Sequence, residues 1–506
     1  MRQLFFILIL TYVNLFSQPK LDSLVSVGNE QSFQFNFTDA NKTFETIINL
    51  FPESSQGYYF KSRNYLWFYL ANKDSLSKNL FFKFHNIALQ IAEKEYNLNK
   101  ENAKLASNLG NVYFLNSIFN SSEQNSMDAF WSTKSAVGYF EDAIELDEKY
   151  FEPRLPLGTI QYALSFVPGF LGMAISIVGL DGNKKEGLNN INLALENCMN
   201  CKTEAAYHLG KIYTEYNAQY IKAEKLLSNI VNKYPNNELF LYQYAILKID
   251  KRELQNALKI LDRIIFGIEK PNFVQTYALS FFLKGEVLFK LNRFNESISE
   301  YEKFIQKTSS PEYTGFANLK IALAFEMLNE KHKAQKHYIL ARNGNENIAE
   351  DISATELSKI YFDKVFSEND KIIIKANNYL ESGKYKEANY LLNDLDKKTM
   401  ADESIFAANL IIVESLQNLD KFDKSFEILK EYDDNSEINS YKDASKFYYL
   451  TALQEFHNKQ YSTSQENLDL AFDNIQESNN KLHRLLINLL QKLDEINNNF
   501  QNNNNN

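Results

Sequence analysis

The sequence predicts an all-α chain, a right-handed α-α superhelix of about nine to ten helix pairs. Three observations carry this. A twelve-residue step recurs between small residues: Ala245 and Ala257, Gly285 and Ser297, Ala322 and Ala334. Large residues follow the second small one at fixed offsets, Leu261, Tyr301 and Tyr338 four positions on, then Ile264, Phe304 and Ala341 three further. The 506 residues hold only 8 Pro and 16 Gly, too few turn residues for many strands, but 39 Phe and 30 Tyr to fill space between helices.

This is the spacing of the tetratricopeptide type of helix–turn–helix repeat, about 34 residues long. Two antiparallel helices cannot bury their apolar faces alone, so neighbouring pairs stack. Close crossing needs small residues at the contact, and the later aromatic fills the space toward the next helix. Pro ends a second helix by removing an N–H and clashing with the preceding turn, the slot of Pro52 and Pro235.

In chain order, Met1-Arg2 followed by an apolar run Leu4–Phe16 and Ser17-Gln18 reads as a secretory signal peptide over 1–17. Phe33, Phe35 and Phe37 alternate with polar residues in an N-terminal arm, 18–39, which reads as extended or as a short strand. An array over 40–347 follows. Ala40, Phe44 and Ile47 mark a second helix, and Ser62 a first helix. Gly110 and Tyr113 pair with Ala136, Phe140 and Ala143; Gly158 with Gly187, Ile191 and Leu195; Gly210 and Tyr213 with Ala223, Leu227 and Ile230. An irregular helical connector, 348–375, leads to weaker repeats over 376–480: Ala376 with Ala388, Val413 with Ser425, Ala452 with Ser464. Leucines at 482, 485, 486, 489, 490 and 493 make an amphipathic capping helix over 481–496. The Asn-rich tail, 497–506, reads as disordered.

Between Gly158 and Gly187 lies an insertion, 164–182, the most apolar stretch after the signal and too short to span a bilayer. It reads either as a helix tucked into the superhelix or as the wall of an apolar ligand site, with Phe166, Phe170, Leu171, Met173 and Ile177 on that wall. Val167-Pro168-Gly169-Phe170-Leu171-Gly172, then Gly179-Leu180-Asp181-Gly182-Asn183-Lys184-Lys185-Glu186-Gly187-Leu188, then Ala205-Ala206-Tyr207-His208-Leu209-Gly210-Lys211-Ile212-Tyr213 resemble a family of exported bacterial tetratricopeptide-repeat proteins. The stretch Ala40–Ala341 is also distantly similar to the eukaryotic inclusion-body-clearance family of helical-repeat proteins. The resemblance implies an all-α superhelix without enzymatic residues.

Removing Arg2 with the signal leaves 53 Lys+Arg against 64 Asp+Glu, which disfavours nucleic acid and anionic membranes as generic partners. Cys198 and Cys201 fall in a turn between repeats, away from any thioredoxin-like strand context; a local disulfide, a redox pair and half a metal site all stay open. The six His are scattered, and no metal-site, phosphate-loop or nucleophile-elbow motif is present, so no metal, cofactor or catalytic group is expected.

Binding is expected on the concave face, at positions three before, one after and four after the first small residue. The central repeats put Tyr207, Lys211, Tyr242, Ile246, Phe282, Glu286, Phe289, Leu319 and Leu323 there, a mostly apolar row in which only Lys211 offers a cation. Two functions compete: a non-enzymatic cell-envelope adaptor holding a protein segment in the groove, and a periplasmic carrier of an apolar small molecule. Either would be periplasmic or extracellular.

Overall fold

The structure, a computed structural model, describes residues 20–167, 179–267, 271–432, 438–475 and 480–504. The signal peptide and, within the apolar insertion, Phe170, Leu171, Met173 and Ile177 lie outside them. Twenty-four α-helices run through the described residues. The first is α1, residues 20–33. Then come α2 Phe37–Leu50, α3 Gln56–Asn72, α4 Ser75–Leu98, α5 Ala103–Ser122, α6 Ser126–Leu146, α7 Arg154–Leu164, α8 Lys184–Asn197, α9 Lys202–Glu215, α10 Tyr220–Lys233, α11 Glu238–Asp250 and α12 Leu254–Phe266. They continue with α13 Val274–Lys290, α14 Phe294–Lys307, α15 Thr314–Met327, α16 Lys331–Ala341, α17 Ala349–Asp363, α18 Glu368–Glu381, α19 Tyr385–Leu392, α20 Asp402–Gln417, α21 Phe422–Lys430, α22 Ala444–His457, α23 Tyr461–Asp473 and α24 Asn480–Asn504. The chain is an all-α solenoid of the tetratricopeptide type.

The twelve-residue step is a contact in space. A Cβ on Gly285 would meet the ring of Tyr301 at 2.9 Å, one on Gly110 the ring of Phe140 at 2.7 Å, and one on Gly210 Leu227 at 2.5 Å. Where the second small residue is Ser, its hydroxyl donates to the carbonyl twelve residues back: Ser297 to Gly285 and Ser464 to Ala452, both at 2.8 Å. The turn between the helices fixes the count. In each clean repeat the seventh residue after the first small one has positive φ: Phe35, Arg252, Asn292, Asn329, Gly383, Asp420, Lys459. The next amide then bonds back five residues, as Arg293 to Leu288 and Glu330 to Phe325, both at 2.9 Å. This closes the first helix in a Schellman turn and starts the second.

That geometry gives eleven helix pairs among the described residues, against the nine to ten expected, with α17 and α24 unpaired. It also corrects the N-terminal arm. Residues 20–33 are helical, and Gly28 stands twelve before Ala40; a Cβ there would meet the Phe44 ring at 2.3 Å. The arm is the first helix of the first repeat. Phe33, Phe35 and Phe37 alternate because they turn the corner between α1 and α2, with Phe35 at φ 61°. At the other end, α24 runs through the Asn-rich stretch to Asn504, where disorder was expected. Extending an established helix costs little per residue, and Asn is only moderately poor in it. The connector after residue 348 is regular too: α17 puts Ala354 against Ala322, Ala334 and Tyr338, and α18 opens with a Ser367–Asp370 capping box.

The chain packs as two compact units: Met1–Gly210 with Lys225–Leu241 and Lys270–Thr276, and Lys211–Glu224 with Tyr242–Glu269 and Tyr277–Asn506. In the first, α1 and α2 bury Val25, Ala40, Phe44 and Ile47. Their corner meets residues some 200 positions on: Asn237 donates to Phe33 O at 2.8 Å, and Tyr234 donates to Glu30 at 2.8 Å. In the second, the leucine stripe of α24 (Leu482, Leu486, Leu489, Leu493) packs on Ala452, Leu468 and Ala471. Among the described residues no helix is long and apolar enough to cross a membrane.

Candidate functional site

First helices of successive repeats meet around one cavity in the second unit, so the residues they bring there decide what it can bind. In the second unit, Phe289 and Lys290 of α13, Lys320 and Leu323 of α15, Ile373, Asn377 and Glu381 of α18, Leu410 of α20 and Lys446 of α22 surround a cavity of about 340 Å³. Tyr361, Phe366 and Asp443 complete it.

Its charges belong to a larger network. Lys320 pairs with Glu286 at 3.0 Å, Lys290 with Glu381 at 3.5 Å and Lys446 with Glu414 at 2.9 Å. Arg252 bridges Glu381, at 3.2 Å, and Glu414. Lys481 of α24 reaches Glu381 at 2.6 Å, and Arg484 reaches Asp250 at 2.7 Å. Six cations (Arg252, Lys290, Lys320, Lys446, Lys481, Arg484) thus meet four carboxylates (Asp250, Glu286, Glu381, Glu414), with Asp443 at the rim. The neighbouring cations show in the titration of two of the acids. Burial alone would raise Glu414, but Lys446 and Arg252 outweigh it and hold the carboxyl at about 2. Burial likewise works against Glu381, and Lys481, Lys290 and Arg252 hold it well below the usual carboxylate range. Asp250 goes the other way: burial raises it, and Arg484 only partly offsets that.

The expected concave row divides. Phe282, Phe289 and Leu319 are buried; Phe282 packs on Tyr301, Phe304, Tyr313 and Phe316, and Leu319 joins the cluster around Tyr338. Phe282 and Leu319, both three before the small residue, are packed against neighbouring helices and do not line this cavity. Of the nine, Phe289 and Leu323 share the cavity, and Glu286 flanks it, accepting from Tyr301 Oη at 2.5 Å. Tyr207 belongs to the first unit, its ring 5.4 Å from Phe240. Lys211, Tyr242 and Ile246 are half-buried, with Lys211 3.3 Å from Glu215. Within the expected row Lys211 remains the one cation, and the cavity draws its cations from elsewhere. Lys290, Lys320 and Lys446 face the cavity from other turns of their helices, positions that the offset rule skipped.

The same offsets applied to Ser62, Gly110 and Gly158, which sequence reasoning did not attempt, give nine residues. Seven of them (Tyr59, Arg63, Leu66, Asn111, Phe114, Leu155 and Thr159) line a second cavity, of about 160 Å³, in the first unit, and Ser107 and Tyr162 do not. Of the insertion wall only Phe166 is described. It is 43% exposed, packs edge-on against Tyr162 and lies under Lys184 Nζ, 4.4 Å from the ring centre, lining neither cavity. Leu180 and Gly182, at the insertion's end, are tied down: Leu180 is buried with Phe140 and Ile160, and a Cβ on Gly182 would strike the Leu164 carbonyl at 2.5 Å. Cys198 and Cys201 form a disulfide, closing the turn from α8 into α9. Among the described residues no group of three or more His, Cys, Asp or Glu side chains is placed to hold a metal.

The family model for Iml2/tetratricopeptide repeat protein 39 matches residues 152–343, from α7 through α16. Similar solved structures include the yeast Tom70, 14% identical, covering 83% of this chain and 87% of that one with a TM-score of 0.33. The APC/C hetero-tetramer Cut9-Hcn1 is 12% identical, covering 94% of this chain and 98% of that one with a TM-score of 0.28. No curated protein sequence matches the chain.

Proposed function

We propose that this chain is a non-enzymatic scaffold that receives an acidic, partly apolar segment of another protein on the inner side of its second unit. The observation that carries the reading is the cavity where Lys290, Lys320 and Lys446 meet Phe289, Phe366 and Leu410. An ammonium that already shares a carboxylate still attracts a second one when cations are in excess, and the apolar walls reward a Leu or Phe beside it. Helix α24 supports the reading by example. Its polar edge lies on the turn between α9 and α10 of the same unit, with Asn488 donating to Asn217 O at 3.1 Å and Gln219 to Gln491 at 2.7 Å. A helical segment with a charged edge and a leucine stripe is therefore a shape this side accommodates.

The scaffold works outside the inner membrane in this proposal. The signal-like residues 1–17 support export, and the Cys198–Cys201 bond suits an oxidising compartment.

The test is fluorescence polarisation with a set of short labelled peptides varied independently in Asp/Glu and in Leu/Phe content. Peptides carrying both should bind, with affinity falling as salt rises. K320Q/K446Q should weaken them at least tenfold while circular dichroism stays that of the parent. Basic or neutral peptides binding equally well, or binding indifferent to both substitutions, would overturn the proposal.

A further inference from the structure

We infer that the first unit holds a separate binding site for a small apolar monocarboxylate, its carboxylate on Arg63 and its hydrocarbon part among Leu66, Leu115 and Leu155. The argument starts from the burial of Arg63. Its residue is 5% exposed, yet no Asp or Glu among the described residues forms an ion pair with it. One guanidinium nitrogen, Nη2, donates to Asn29 Oδ1 at 2.8 Å. Nε is buried and has no acceptor. The plane is packed between the rings of Trp67, 4.5 Å away, and Phe60, 4.8 Å away. Burial is costly enough here to lower the arginine's proton affinity, and Glu204 acts against that only through space.

A charge held in this way with an open donor is a fixed, dehydrated cation, the arrangement that recognises a carboxylate with planar hydrogen bonds. Arg63 is one of the residues that line a cavity of about 160 Å³. Away from Arg63, Leu66, Leu70, Leu115, Ile118, Leu155 and Pro156 of α3, α5 and α7 give the cavity an aliphatic side, and Asn111, Thr159, Asn200 and His208 give it a polar one. A dry cavity of about 150 Å³ takes a benzene-sized group, so the site suits an aliphatic chain of that bulk or an aryl ring. A longer chain can continue. An adjoining cavity of about 390 Å³ shares Tyr59, Phe60, Asn111, Glu152 and Asn200 with the first. The charge count sets the headgroup. Glu152 and Glu204 line the same cavity as Arg63, so a second negative charge on the ligand would be repelled, and monocarboxylates are favoured over dicarboxylates. Nothing in this site involves the second unit's cavity, and neither proposal depends on the other.

Trp67 is the reporter. The chain has two Trp, and the other, Trp131, is 53% exposed, so W131F leaves Trp67 as the sole indole. Octanoate, octanol and suberate would be titrated into the full chain carrying W131F, followed by Trp67 fluorescence and calorimetry. Octanoate should bind at least tenfold more tightly than octanol, and suberate should bind more weakly than octanoate. R63Q should abolish the preference for octanoate over octanol. L115W, which fills the cavity without touching Arg63, should remove octanoate binding even if R63Q misfolds. Equal affinity for octanoate and octanol in the parent, no binding of octanoate at millimolar concentration, or full binding in a folded L115W would each overturn the inference.

Discussion

Gly158→Ala tests the idea that small residues at the repeat marks exist to let backbones touch. Helices α7 and α8 cross where a Cβ on Gly158 would sit 2.6 Å from Gly187 O and 2.9 Å from Asn190 Cβ; reciprocally, one on Gly187 would sit 2.7 Å from Gly158 O. Ordinary contact begins near 3.4 Å, so α7 must withdraw by about 0.8 Å, and a gap of that size forfeits roughly a quarter to a half of the dispersion energy across the crossing. Overpacking of this kind costs about 1–3 kcal/mol. Alanine's better helix propensity returns about 1 kcal/mol. The net loss is therefore about 0–2 kcal/mol, and its midpoint of about 1 kcal/mol is roughly a fivefold change in an opening equilibrium. Gly138 is the control, because it sits exposed inside α6 with nothing within 4 Å of its would-be Cβ. Gly138→Ala should gain up to about 1 kcal/mol. A long repeat array opens piecewise, so the measurement is hydrogen exchange read by mass spectrometry on peptides from α7, α8 and α6. Exchange in α7 and α8 should quicken by about fivefold in G158A, and in G138A exchange in α6 should slow or stay unchanged. Wild-type protection of α7 and α8 in G158A would refute the reasoning.

Three further outcomes follow from the same structure. Glu414→Gln leaves Arg252 and Lys446 short of a buried counter-charge and should cost about 3–5 kcal/mol in urea unfolding at neutral pH. Because the folded Glu414 carboxyl lies near 2 against an ordinary 4.5, its contribution is complete above about pH 4.5 and is lost as pH falls toward 2. The variant and parent should accordingly converge in acid. His85 is buried against the Phe81 ring, 5.0 Å away, and desolvation lowers its pKa to about 4; its Cε1–H resonance should stay that of neutral imidazole between pH 6.5 and 5, and a midpoint near 6.5 would contradict the burial. At the inter-helix turns, Lys459→Gly should be tolerated within about 1 kcal/mol, whereas Gly383→Val should cost about 1–2 kcal/mol, since only a Cβ makes the left-handed conformation expensive. Thermal melts of the two variants compare them directly.

What the sequence showed and hid has a physical pattern. The step from Gly285 to Ser297 is legible because one contact sets it: the same two backbones meet in each repeat, so the same sizes recur. The left-handed turn that fixes the count is not legible. Its occupants include Phe35, Arg252, Asn292 and Lys459, with Gly only at Gly383, because the Schellman bonds and flanking helices impose the conformation on whatever residue is there. The first helix was missed for want of one comparison, Gly28 with Ala40. The charge network was hidden for another reason. Asp250, Arg252, Glu381, Glu414 and Arg484 lie up to 234 residues apart and carry no local signature. Arg63 stood within reach, at the offset after Ser62, but its lack of an ion pair is a fact of packing alone.

The separation of Arg484 from Asp250 has a consequence in time. As the chain is synthesised, at about 5–20 residues per second, Asp250 and its neighbours on α11 emerge well before their counter-ion. The 234 residues between them correspond to roughly 10–50 seconds of translation at that rate. Through that interval Asp250 has Lys290 as a nearby cation but lacks its hydrogen-bonded partner, so the surroundings of α11 are completed only when α24 arrives. Packing of that interior is thus a late event by construction, and a nascent chain halted before residue 484 should remain accessible to proteases around Asp250 while repeats of the first unit, such as α5 and α6, are already closed.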